Sequence, residues 1–180
     1  MTLTAANVRV AVTGVVMVGA TTATAPTLTT STTTGFTDLG FVGEEGVTES
    51  PTKTTKAIKA WQAGATVRRV VTDGEYMLKL TLIESSKAVI EAYYGATATS
   101  AATEGSIAVV PTATGGQKSF IIDVVDGSEK KRIYVATGEI TETGDLVYKN
   151  GEAIGYPITI TCYPTATGES ATVFSTALKS

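Results

Sequence analysis

ATVRRVVTDGEYMLKLTLIE, residues 65–84, alternates apolar and polar side chains through its second half, with Tyr76, Leu78, Leu80 and Leu82 on one face and Met77, Lys79, Thr81 and Ile83 on the other. That period of two is the signature of a half-buried strand, and the first set is the core face. Asp73-Gly74 can supply the positive φ angles of a type I′ turn, so the stretch reads as two antiparallel strands joined by a hairpin. Asp126-Gly127 and Asn150-Gly151 carry the same signal. Around Asp126-Gly127, SFIIDVV and KKRIYVAT flank the turn; Phe120, Ile122 and Val124 alternate with Ile121, Asp123 and Val125, so this strand is apolar on nearly both faces. In PITITCYP, Ile158, Ile160 and Cys162 share a face, which makes Cys162 a small buried hydrophobe.

Working outward, the chain is rich in Thr, Val, Ala and Gly, and β-branched residues favour pleated strands. A mainly β domain is expected over residues 1–180, a length that buries one good core and leaves little for a second. One short helix stands out at about 85–94: ESSKAVIEAYYG has a Ser85 or Ser86 cap, Val89, Ile90 and Tyr93 as a stripe to lie on a sheet, and Gly95 as a stop. Residues 21–35, TTATAPTLTTSTTTG, read as a solvated Thr-rich loop. Residues 43–57, GEEGVTESPTKTTKA, hold too few apolar groups for core and read as a long, structureless loop. Such a loop in a small domain is usually functional, and here it is expected to be an arm that reaches a neighbouring subunit. Glu44, Glu45 and Glu49 precede Pro51 while Lys53, Lys56 and Lys59 follow it, so one arm can meet a partner of opposite sign.

The chemistry classes thin out quickly. There is no histidine, which removes the commonest general base and zinc ligand, and the single cysteine leaves no internal disulfide. No cofactor is expected. TGGQKS, residues 114–119, lacks the spacing of a phosphate loop, and Gly115-Gly116 reads as a hairpin turn. Glu44-Glu45 reads as solvated charge rather than a catalytic pair. Asp123 interrupts an apolar strand and implies the solvent face or an inter-subunit partner, since a buried unpaired carboxylate is too costly. Trp61 is a candidate core or interface anchor. A net charge of −3 argues against a surface built to grip nucleic acid. The first residues lack a basic region ahead of an apolar run, and no stretch reaches the roughly 20 apolar residues of a membrane span, so the chain is expected to be soluble and unexported.

Three segments in order, FTDLGFVGEEGVTESP, IKAWQAGATVRRVVTDGEYMLKLTLIESSKAVIEAYYG and ITETGDLVYKNGEAIGYPITITCYP, resemble the major tail (tail tube) proteins of long-tailed, non-contractile bacteriophages infecting actinobacteria. The resemblance covers most of the chain; residues 21–35 and 96–116 carry little of it. It implies a tail-tube-type β-sandwich or barrel with a flanking helix, assembled as stacked hexameric rings through which the genome leaves the virion. It also implies a tape measure protein inside the tube, and tail terminator and tail-tip proteins at its ends. Secretion-system ring proteins share the fold class by resemblance. Six subunits giving about four strands each would close a barrel with a bore of roughly 35–50 Å at the backbone, wide enough for a duplex. Such a wall should not hold phosphates, and Asp38, Asp123 and Glu139 are candidate lumen acids. The alternative is a β-sandwich binding module, capsid-decorating or adhesin-like, for which the Thr-rich composition is the support.

Overall fold

The computed structural model describes residues 7–30 and 34–179, and in it the alternation at 76–82 becomes the inner row of a long strand. The strands are β1 (Thr13–Gly19), β2 (Phe36–Asp38), β3 (Val42–Lys59), β4 (Thr66–Leu82), β5 (Thr99–Ser100), β6 (Gly105–Ser106), β7 (Lys118–Asp126), β8 (Glu129–Thr143), β9 (Tyr156–Cys162) and β10 (Thr172–Ser175), with helix α1 (Lys87–Tyr94) after β4. Eight strands form one antiparallel sheet in the order β2-β1-β7-β8-β9-β4-β3, and β10 pairs with β8 beside β9. β5 and β6 form a separate small hairpin.

Leu78, Leu80 and Leu82 meet Phe120, Ile122, Ile133, Val135, Ile158, Ile160 and Cys162 in one apolar cluster closed by Val16, Leu39 and Tyr156. Each fully buried aliphatic or aromatic side chain in it contributes about 1.5–3 kcal/mol. The sheet curls around this core, because β1 touches β3 at the far end of the strand order, and Lys131 on β8 ion-pairs with Glu49 on β3. Gly138 on β8 lets the core close against its backbone: a Cβ there would come within 3.0 Å of Phe120 and 3.1 Å of Ile160. The outer face is also partly covered. Ile121, Tyr134, Thr159 and Thr161 are buried there, in keeping with a β7 strand apolar on both sides.

The helix forms where its stripe and caps place it. The Ser86 hydroxyl accepts the Val89 N–H at 3.4 Å, and Gly95 closes the helix at φ 62°. Val89 is fully buried, Ile90 and Tyr93 pack at the edge of the core, and Tyr93 meets Tyr156 edge-on at 5.5 Å. Ile90→Asp is expected to cost roughly 3 kcal/mol or more, because it desolvates a carboxylate beside the core. An unchanged urea midpoint for that variant would contradict this packing.

Several local expectations are corrected. Residues 43–57 are not a structureless loop but most of strand β3, paired with β4 along nearly its whole length. Asp73-Gly74 is not a turn; it lies inside β4 opposite Thr54 and Lys53, beside a β-bulge. The chain reverses instead over residues 60–65, where Ala63 and Gly64 hold φ of 56° and 66°. Asp126-Gly127 does join β7 to β8, with Gly127 and Ser128 as the two central residues between the paired Asp126 and Glu129. Asn150-Gly151 sits in a turn within a longer connection from β8 to β9, closed by Glu152 N–H to the Lys149 carbonyl. Gly115-Gly116 is a positive-φ bend leading into β7 rather than a hairpin turn. Residues 21–30 are mostly exposed but not merely solvated, for Arg132 binds the Thr27 and Thr30 carbonyls; residues 31–33 of the Thr-rich segment lie outside the described residues.

Candidate assembly surface

The hairpin of β3 and β4 has two halves with different physics. From Tyr76 to Leu82, β4 is flanked by β9 and belongs to the body; before Tyr76 it has β3 alone as a neighbour. Every residue from Trp61 to Glu75 is exposed, as are 51–56. At about 3.3 Å per residue, the eight residues Thr52–Lys59 carry the hairpin about 25 Å from the body. Nothing on this arm reaches the core, yet Ile58, Val67 and Val71 are half or more exposed and Trp61 is 98% exposed at the tip. Trp61 is therefore not a core anchor. The arm from Thr52 to Gly74 bears Lys53, Lys56, Lys59, Arg68 and Arg69 against Asp73, a net +4, which leaves −7 on the rest of the chain.

The acids named from the sequence all lie on the body side of Pro51. Glu44 and Glu45 are exposed in the irregular stretch between Val42 and Val47, where the β3–β4 register shifts. Glu49 belongs to the body: it ion-pairs with Lys131 and accepts the Tyr76 hydroxyl at 3.1 Å. Pro51 stands where the arm leaves the body, on an edge strand, where the N–H it lacks can face away from any neighbour. β3 is that edge along its full length, and an open edge is a template for pairing with another chain.

Asp38 is exposed at the end of β2, its carboxylate accepting the Gly40 N–H at 2.8 Å. Asp123 lies opposite Arg132 and takes a bidentate pair of bonds from it, both at 2.6 Å, so its partner is in its own chain. That hydrogen bond raises the Arg132 guanidinium above its ordinary pKa against the opposing effect of burial. Glu139 accepts hydrogen bonds from Thr114 and, at 3.0 Å, from Tyr163, whose phenol is raised by that bond. Arg132 was missing from the residues singled out in the sequence, although the β7–β8 turn places it opposite Asp123 by simple counting.

Among the described residues no group of three or more His, Cys, Asp or Glu side chains is placed to hold a metal ion, and no helix is long and apolar enough to cross a membrane. Cys162 is 3% exposed, and burial pushes its thiol up to about 12 from 9.0. The folded state therefore keeps a proton that the unfolded chain releases above pH 9, so stability is full below that pH. It is expected to fall by about 1.4 kcal/mol per pH unit above it. Tyr76, raised by burial first and by Glu49 second, acts in the same direction at higher pH. Urea midpoints between pH 8 and 11 check this: Cys162→Ala should flatten the decline, and an equal decline in that variant would refute it.

Comparison with known proteins gives the remaining findings. No curated protein matches the chain. Among solved structures, one described as "Crystal structure of Hcp protein" aligns at 11% identity and a TM-score of 0.34, covering 89% of this chain and 96% of that one. A protein family described as "Phage tail tube protein" matches residues 1–180. Matched from first residue to last, and built as an antiparallel β domain with one helix and an open-edged arm, the chain belongs to the phage tail tube protein family and is a structural component of the virion tail.

Proposed function

We propose that this chain is the repeating subunit of the tube in a long, non-contractile tail of a phage infecting actinobacteria. Six copies form a ring, rings stack, and the genome leaves through the bore. One observation carries the reading: the distal half of the β3–β4 hairpin is a basic, partly apolar arm without a place to pack on its own acidic body. A two-stranded hairpin is marginal in water on its own. The arm is therefore mobile in the free subunit and orders against a neighbour in the next ring, which keeps unnucleated subunits soluble. Lys53, Lys56 and Lys59 supply the cationic side of that contact, and Glu44 and Glu45 the anionic side. Glu49, already engaged by Lys131, holds the arm's base to the body.

The bore is lined by groups that repel or ignore phosphate, so DNA passes without specific binding. Of the three acids considered for it, Asp38 contributes a solvent-facing charge, while the charge of Asp123 is compensated by Arg132 and Glu139 is held by Thr114 and Tyr163. Asp38→Lys is expected to allow tubes but to slow DNA release at low salt; unchanged release kinetics would remove Asp38 from the lumen. A tape measure protein occupies the bore before ejection, and terminator and tip proteins close the ends. The reading is tested by concentrating the purified protein and imaging it. Hollow tubes of uniform width support it, and a protein that stays monomeric at every concentration overturns it.

A further inference from the structure

Within the body, on the stretch of β3 that precedes Pro51, the starts of β1 and β3 lie side by side without pairing. β2 covers β1 from Met17 to Gly19 only, and β3 has β4 as its sheet neighbour. Between them runs a trough of about 380 Å³ lined by Val12, Phe41, Val42, Val47 and Val124. Phe41 is 73% exposed, and Val12, Val10 and Val8 ahead of β1 are exposed as well. Glu44, exposed, stands among the lining residues, whereas Asp123 there is engaged by Arg132. The trough is thus lined mostly by apolar and small residues, with Glu44 as its one carboxylate not held by Arg132.

The arm's tip is the complement. Trp61, Ile58 and Val67 are exposed apolar groups, and Lys56, Lys59, Arg68 and Arg69 surround them. We propose that the tip of one copy, anchored by Trp61, seats in the β1–β3 trough of a second copy, with its cations against Glu44 and the net negative body around it. The inference rests on the tube reading for bringing the copies together, and adds the receiving surface. An arm cannot reach its own trough, because Val47 and Lys59 lie twelve residues apart on one strand, about 40 Å. The contact is therefore head-to-tail, joining two different surfaces, the kind that propagates from copy to copy without closing on a pair.

Trp61 is the sole tryptophan, so its fluorescence reports the tip alone. Assembly of the wild-type protein should shift that emission to the blue and lower its quenching by acrylamide several-fold. Hydrogen exchange in tubes should slow at residues 41–47 and 58–70 together. Phe41→Ala, a substitution at an exposed position, should raise the concentration needed for assembly by roughly thirtyfold, as loss of an interface anchor does. Tubes in which Trp61 stays freely quenched overturn the seat while leaving the tube reading intact. So do tubes in which the tip is protected and residues 41–47 exchange as in the subunit. A wild-type protein that never assembles overturns both.

Discussion

Replacing residues 53–74 by an Asn-Gly turn between Thr52 and Glu75 is expected to yield a folded subunit that builds no tubes. The core lies wholly outside the excised segment, and Tyr76–Leu82 keeps its pairing with β9, so the body loses no buried side chain. Thr52 and Glu75 are already opposite one another, and Asn-Gly supplies the turn that two paired strands need. Circular dichroism and the urea midpoint should therefore stay close to those of the intact chain. What disappears is the net +4 of the arm, which leaves a body of net charge −7 that repels its copies, together with Trp61, Ile58 and Val67. A folded variant that still forms normal tubes would show that the arm is surface ornament.

Asp123→Ala should be the most damaging single change outside the apolar core. It leaves the Arg132 guanidinium, 8% exposed, without the carboxylate that takes its bidentate pair of bonds, and a buried ion stripped of its partner costs about 3–5 kcal/mol. That is a large share of the roughly 5–15 kcal/mol by which domains are stable. It should also loosen the segment around Thr27 and Thr30, whose carbonyls Arg132 holds. Removing both charges at once, as Asp123→Val with Arg132→Met, should recover most of the loss, because the penalty comes from the orphaned charge. Urea midpoints of the single and double variants decide it. Equal losses in both would show that the pair stabilises by attraction.

The body was legible from residue pattern because its strands are amphipathic: Leu78, Leu80 and Leu82, Phe120 and Ile122, Ile158 and Ile160 each alternate with outer-face residues, and all are buried. The helix was legible because Ser86 and Gly95 punctuate a short apolar stripe. The arm was not. Its strands have no buried face, so alternation carries no signal there, and Gly43, Gly46 and Pro51, on the stretch of β3 that leads to it, imitate a loop. Asp73-Gly74 is a turn pair by local chemistry, overridden because pairing of β4 with β3 runs straight through it and its extra residue is absorbed in a bulge. The true reversal falls at Ala63-Gly64, where an alanine at positive φ gives no warning. The Asp123–Arg132 pair lay within reach, since the turn at Gly127-Ser128 sets the register that makes them opposite. The trough was out of reach, because it is made by the curl of the sheet, which brings β1 to β3 across the whole strand order.

The tube itself is the most direct test. A helical reconstruction by electron cryomicroscopy of tubes grown from the purified chain should show six subunits per ring and a bore that passes a DNA duplex. Each β3–β4 arm should cross the ring boundary to lie against the body of a subunit in the next ring. A different rotational symmetry, a closed axis, or arms folded back on their own subunits would contradict the account.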